Sequence, residues 1–253
     1  MRKITTNTLS RQSLTKLVMV SAALIVIAAA GTVFAYPAVG AVACPACYGL
    51  DRMDTETFVE RGMPSQDRAK VRIVISEARQ RVGTFYGNFA GNPRILVCST
   101  ENCYRHIGGH RERGKSFFDF ALMLSPRGLG EVIVAHELSH VELHHRLGFF
   151  RSLTNAVPAW FNEGVAVTVS DDRRYLAPVD APNRCLLRSD GPLPSTTAEW
   201  NRAAGRQDSE IYAESACRVS EWMAEWGGPH AVTNLVSLVA MGKPFSDVYR
   251  RPL

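Results

Sequence analysis

Residues 128–148 read GLGEVIVAHELSHVELHHRLG. Apolar Val132, Ile133, Val134, Leu138 and Val141 surround two histidines four residues apart, and the stretch reads as one helix. Gly148 is a C-terminal stop with His145 and Arg146 in the last turn. Residues four apart share a helix face, so His136 and His140 can aim their imidazoles at one metal ion. Glu137, one step round the helix, is placed to act as a general base on a water held there. His144 shares the same face, but eight residues of helix span about 12 Å, so His136 and His144 cannot both reach one ion.

A two-histidine motif recurs by chance in many chains, and this one has support in residues 158–167, PAWFNEGVAV. Pro158 suits the first turn of a second helix. Glu163 then falls about one and a half turns in. A catalytic zinc takes three protein ligands and keeps one position open. His136, His140 and Glu163 make such a set. Gly164 is expected to let the second helix pack close to the first.

HELSH followed by WFNEG resembles the gluzincin zinc metallopeptidases, over roughly residues 93–250. The resemblance implies an α+β, zincin-like domain with a helical C-terminal part. It implies Glu163 as third zinc ligand, Glu137 as catalytic base, and hydrolysis of a peptide or protein substrate. A strand before the zinc helix would hold the substrate backbone, and residues 116–125, SFFDFALMLS, are the candidate. Tyr212, in YAESA, stands where some of these enzymes place a tyrosine that hydrogen-bonds the oxyanion. Thermolysin-like members orient a ligand histidine with an aspartate four residues after the third ligand. Val167 is at that position here, so the histidine's partner is left open. The glycine-rich strand with which aminopeptidases hold a substrate's amino terminus has no counterpart, which implies an endopeptidase or a processing enzyme.

Residues 1–16 carry Arg2, Lys3, Arg11 and Lys16 and no acid. Residues 17–35, LVMVSAALIVIAAAGTVFA, are uncharged and near the length that spans a bilayer. Val33-Phe34-Ala35 also resembles a cleavage site. Residues 1–43 are therefore expected to be a signal peptide or membrane anchor, and residues 44–253 a domain exported to the membrane surface, periplasm or extracellular space. The net charge of +5 falls to +1 without the four N-terminal cations, since 25 basic residues then face 24 acidic ones. No basic patch interleaved with aromatics is present, and nucleic acid is not an expected partner.

Six cysteines, all beyond the apolar run, point to disulfides in an oxidising compartment. Cys98–Cys103 and Cys185–Cys217 are the expected pairs. Cys44-Pro-Ala-Cys47 reads as a local disulfide rather than a redox centre, because no βαβ pattern follows it. Two rival functions remain: a non-catalytic binding module with a zincin-like shell, and a thiol-redox protein using Cys44 and Cys47.

Elsewhere, residues 67–85 read as a helix and residues 94–100 as a strand. Residues 98–114 read as a loop holding His106 and His110. A proline-rich loop, residues 170–196, carries Asp171 and Asp172. Helices are expected over residues 211–228, 229–242 and 244–250.

Overall fold

The structure is a computed structural model describing residues 18–21, 36–181, 184–188 and 190–251, without the side chains of residues 206–209. Strands β1 (Leu50–Arg52), β2 (Thr57–Glu60), β3 (Arg94–Val97), β4 (Gly114–Phe117) and β5 (Ala121–Leu124) form one mixed sheet in the order β1-β2-β3-β5-β4. The central pairs β2/β3 and β3/β5 are parallel, and the two outer pairs are antiparallel. Between the strands lie α1 (Pro37–Ala43, before the sheet), α2 (Ser65–Tyr86) and α3 (Glu101–His106). After the sheet come α4 (Glu131–Leu147), α5 (Phe149–Leu153), α6 (Ala159–Ser170), α7 (Thr197–Trp226), α8 (Pro229–Ala240) and α9 (Phe245–Arg250). The fold is α+β with a helical C-terminal part.

Strand β5 (ALML) is apolar at every position and β3 (RILV) at all but its first, because both faces of the sheet are covered there. Side chains alternate between faces. Ile95, Val97, Leu122 and Leu124 point into the main core with α2, α4 and the C-terminal helices. Leu96, Cys98 and Met123 point the other way, under Ala41 of α1 and Tyr104 and Ile107 of α3. Each such aliphatic side chain contributes about 1.5–3 kcal/mol on burial. Residues 37–43, grouped with the N-terminal segment by sequence, thus pack on the sheet as α1. Most of the apolar run 17–35 lies outside the described residues. Among the described residues no helix is long and apolar enough to cross a membrane.

Residues 116–125 are not one strand. The chain turns at residues 118–120, where Phe118 has a left-handed backbone (φ 49°), and returns as β5. The edge of the sheet is β4, and β5 is internal. The expected loop 98–114 contains α3, capped by Thr100, whose side chain accepts from the Cys103 N–H. The helix expected at residue 211 begins at Thr197. Thr196 and Glu199 form a capping box at its start, each side chain accepting from the other's backbone N–H.

All three disulfides, Cys44–Cys47, Cys98–Cys103 and Cys185–Cys217, are formed. The last ties the loop after α6 to α7.

Pro158 sits just before α6 as its N-cap. Helix α6 is held by aromatic packing on the following pair. Phe161 is fully buried against Trp222, Phe245 and Tyr249, at ring separations of 5.2–5.9 Å. The Trp222 indole donates to the Tyr249 carbonyl at 2.8 Å, fastening α9 to α7 beside α6. Gly164 does not face the zinc-motif helix, as sequence suggested. A Cβ there would lie 2.5 Å from the Ser215 carbonyl oxygen and 2.7 Å from Val219 of α7. The glycine sets the α6–α7 spacing instead. Gly164→Ala is therefore expected to lower stability by about 1–3 kcal/mol through overpacking. Urea unfolding measures it, and an unchanged midpoint would show that the helices part without strain.

Candidate metal centre

Helices α4 and α6 cross so that the His136, His140 and Glu163 side chains converge at the floor of a cleft of about 820 Å³. His136 Nε2 and His140 Nε2 lie 3.1 Å apart. Glu163 Oε2 lies 3.4 Å from the first and 3.5 Å from the second. Ligands on a tetrahedron with bonds of about 2.0–2.1 Å are separated by about 3.3 Å. The three atoms already stand at that spacing. Glu163 Oε2 is buried, and its approaches to the two imidazole nitrogens are long for hydrogen bonds. A buried carboxylate oxygen so placed fits a cation held between the three atoms. The residues can hold a metal ion with one position left open to the cleft.

The electrostatics agree. Burial works to lower the pKa of His140. The Glu163 carboxylate overrides burial by charge and hydrogen bonding, Glu137 and Asn162 add to the rise, and the imidazole ends at about 9. Burial works to raise Glu163, and His140 and His136 together hold it down to about 2. In the metal-free chain the raised His140 contributes stability that is full below its ordinary 6.5 and lost as pH climbs through about 9. The depressed Glu163 contributes stability present above its ordinary 4.5 and lost as pH falls toward about 2. Protons and metal compete for the same lone pairs.

The partner that sequence left open is Asn162, the residue just before Glu163. Its Oδ1 lies 2.9 Å from His140 Nδ1, and accepting the proton there frees Nε2 for a metal. Its Nδ2 lies 3.4 Å from His144 Nε2. His144 is buried, and that burial, with the charge of His140, brings it down to about 4, so it stays neutral and can accept from the amide. His144 is thus outside the ligand set, as helix geometry required, but it braces Asn162 from behind. No spacing rule points to Asn162. The one hint was an amide next to a presumed ligand.

Glu137 lies in the cleft beside the ligands. Its Oε2 accepts from the Ser116 backbone N–H of β4 at 2.9 Å. The carboxylate approaches β4 this closely because residue 114 is glycine: a Cβ there would sit 2.7 Å from Glu137 Cγ. Tyr212 lines the same cleft, with its ring 6.3 Å from that of His136. It belongs to the middle of α7 rather than a helix start, stacked on Tyr175 at 5.1 Å and edge-on to Trp200 at 5.0 Å.

His110 lines the cleft. His106 packs on Tyr48 instead, at 5.3 Å. Asp171 and Asp172 are in ion pairs with Arg173, Arg184 and Arg174, and take no part in the cluster. Cys44 and Cys47 are joined to each other at the far, α1 side of the sheet.

Comparisons with protein families, with curated proteins and with solved structures return no match.

Two outcomes are expected. Asn162→Ala should weaken metal binding about 10–100-fold without unfolding the chain; unchanged affinity would remove the amide from the site. Metal binding at pH 7 should release about one proton, because a metal needs the deprotonated His140 Nε2. Calorimetry in two buffers of different ionisation enthalpy counts the protons, and identical heats would mean His140 is already neutral.

Proposed function

We propose that the chain is a zinc-dependent peptidase whose domain works outside the cytoplasm. The observation that carries this reading is the His136–His140–Glu163 cluster at tetrahedral spacing, with a carboxylate that is not one of its ligands, Glu137, at its open side. Two imidazoles and one carboxylate suit zinc, and an open fourth position suits catalysis rather than structure. The likeness of HELSH and WFNEG to the gluzincins agrees with it. Three disulfides support an oxidising compartment, and the uncharged run 17–35 with the basic residues before it would supply the export signal or anchor.

Bound zinc supplies a Lewis acid that lowers the pKa of water toward ~7 and polarises a carbonyl. The chain's residues do the rest. Asn162 fixes the His140 tautomer. Glu137, held by the Ser116 N–H, takes the proton from the attacking water and delivers it to the leaving amine. A substrate strand laid along the outer edge of β4 places its carbonyl between Glu137 and the ligands. Tyr212, on the opposite wall, donates a hydrogen bond to the carbonyl oxygen as negative charge develops there.

A base that is not a ligand can be removed without removing the metal. Glu137→Gln should keep its zinc and its fold and lose peptidase activity about 10²–10⁴-fold. Tyr212→Phe should lose less, since the Tyr212 hydroxyl would share the developing charge with a bound metal rather than carry it alone. The deciding measurement compares wild type and Glu137→Gln on one peptide at equal zinc occupancy. Equal rates would assign the activity elsewhere, and no activity in either would favour a binding module.

A further inference from the structure

Beyond the metal ligands the cleft continues over an apolar surface. Its floor there is Leu143 and Leu147 of α4, and its rim includes Phe118 and Leu153. From Phe118 a line of rings runs outward. Phe118 lies 5.7 Å from His144, 5.9 Å from Phe120 and 5.4 Å from Phe149, and Phe149 lies 5.6 Å from Phe150. These are not core residues. Phe120 is 48% exposed, Phe149 49%, Phe150 80% and Leu153 54%. Phe120 and Phe149 flank the partly buried Phe118 ring, Phe150 extends the row from Phe149, and Leu153 lines the same cleft; together they mark a binding surface rather than scattered exposure.

The backbone points the same way. Phe118 is held in a left-handed conformation, φ 49°, which is unfavourable for an aromatic residue and is characteristic of functional segments. Phe118 directly follows β4. The Arg113 carbonyl accepts from the Ser125 N–H, so Arg113, Lys115 and Phe117 bond toward β5. Gly114 and Ser116 therefore present their backbone groups outward, along the cleft; the Ser116 N–H is taken by Glu137, which leaves the Ser116 carbonyl and the Gly114 groups for a segment laid there. A segment paired with that edge passes Glu137 at Ser116 and reaches Phe118 two residues on, roughly 7 Å away.

We propose that Phe118, Phe120, Phe149, Phe150 and Leu153 form an extended apolar subsite, and that the substrate is a polypeptide segment bearing large apolar side chains two to three residues from the bond cleaved. This rests on the peptidase reading and narrows its substrate class. The occupant is the substrate because the surface is continuous with the cleft and with the outward edge of β4. A surface made for lipid would not need that edge.

The test uses the zinc-loaded chain and its Phe149→Ser/Phe150→Ser double variant, with equal thermal midpoints as the check on folding. A fluorogenic peptide series places Phe, Leu or Ser at each of three positions on either side of the scissile bond. Wild type should prefer Phe or Leu over Ser by roughly tenfold in kcat/KM at one flanking position, the order expected from burying one large apolar side chain. In the double variant that ratio should fall toward one. An unchanged ratio overturns the subsite while leaving the peptidase reading intact. A second arm measures binding of the same peptides to Glu137→Gln by fluorescence anisotropy, with and without the two serine substitutions. If wild type cleaves nothing, the peptidase reading falls, and a serine-sensitive preference in binding still upholds the subsite. Absence of that preference overturns it. A third arm floats wild type and double variant with phosphatidylcholine vesicles. Vesicle binding lost in the double variant, with the peptide preference unchanged, assigns the patch to a lipid surface and overturns the proposal.

Discussion

A carboxylate buried between two imidazoles is the interaction on which the rest of the chain turns. Glu163 is tolerable in the interior only if positive charge meets it, from protonated His140 or from a metal. That ties α6 to α4 at this point. Each residue around Glu163 contributes to that register. Trp160 and Phe161 anchor the start of α6 in the aromatic cluster with Phe245 and Tyr249. Gly164 lets α7 close from the other side. Asn162 joins α6 back to His140. Five consecutive residues thus serve core, site and interhelical packing in turn.

The helical hairpin alone does not make a cleft. The sheet supplies the other wall, and it does so through its edge strand. Because β2, β3 and β5 are covered on both faces, the outer side of β4 is the part of the sheet available to a ligand near the cluster. The α6–α7 loop is fixed to α7 by Cys185–Cys217, and its Tyr175 stacks on Tyr212. The disulfide therefore also steadies one side of the site.

Much of this was legible in the sequence. The helical period puts His136 and His140 on one face, the likeness of WFNEG to the gluzincins pointed to Glu163, and the structure brings the three together. The disulfide pairs expected from short separation or from a loop to be tied are formed. What could not be read depends on tertiary placement. Asn162 gains its role from the crossing of two helices, and local sequence does not encode that crossing. Residues 116–125 look like one strand because Phe117, Phe118 and Phe120 run without a break into the buried Ala121–Leu124, and the turn is made by Phe118 rather than by the glycine or asparagine that usually marks one. The early start of α7 was readable in Thr196-x-x-Glu199, a capping box outweighed by the polar residues after it. Gly164 was read as a close-packing glycine correctly, but sequence does not say which neighbour it faces.

The grip of β4 on Glu137 is made by a peptide group, with Gly114 providing room. Side-chain replacement at 116 leaves that donor in place, unless the replacement is proline. Two nearby positions therefore carry opposite constraints: residue 114 is limited by the space beside Glu137, and at residue 116 the contact persists whatever the side chain, proline apart. A residue-by-residue truncation survey would pass over position 116 as neutral. The orientation of the base is inherited through the path of the main chain, and lineages could diverge widely in the lettering of this strand without altering the chemistry beside it.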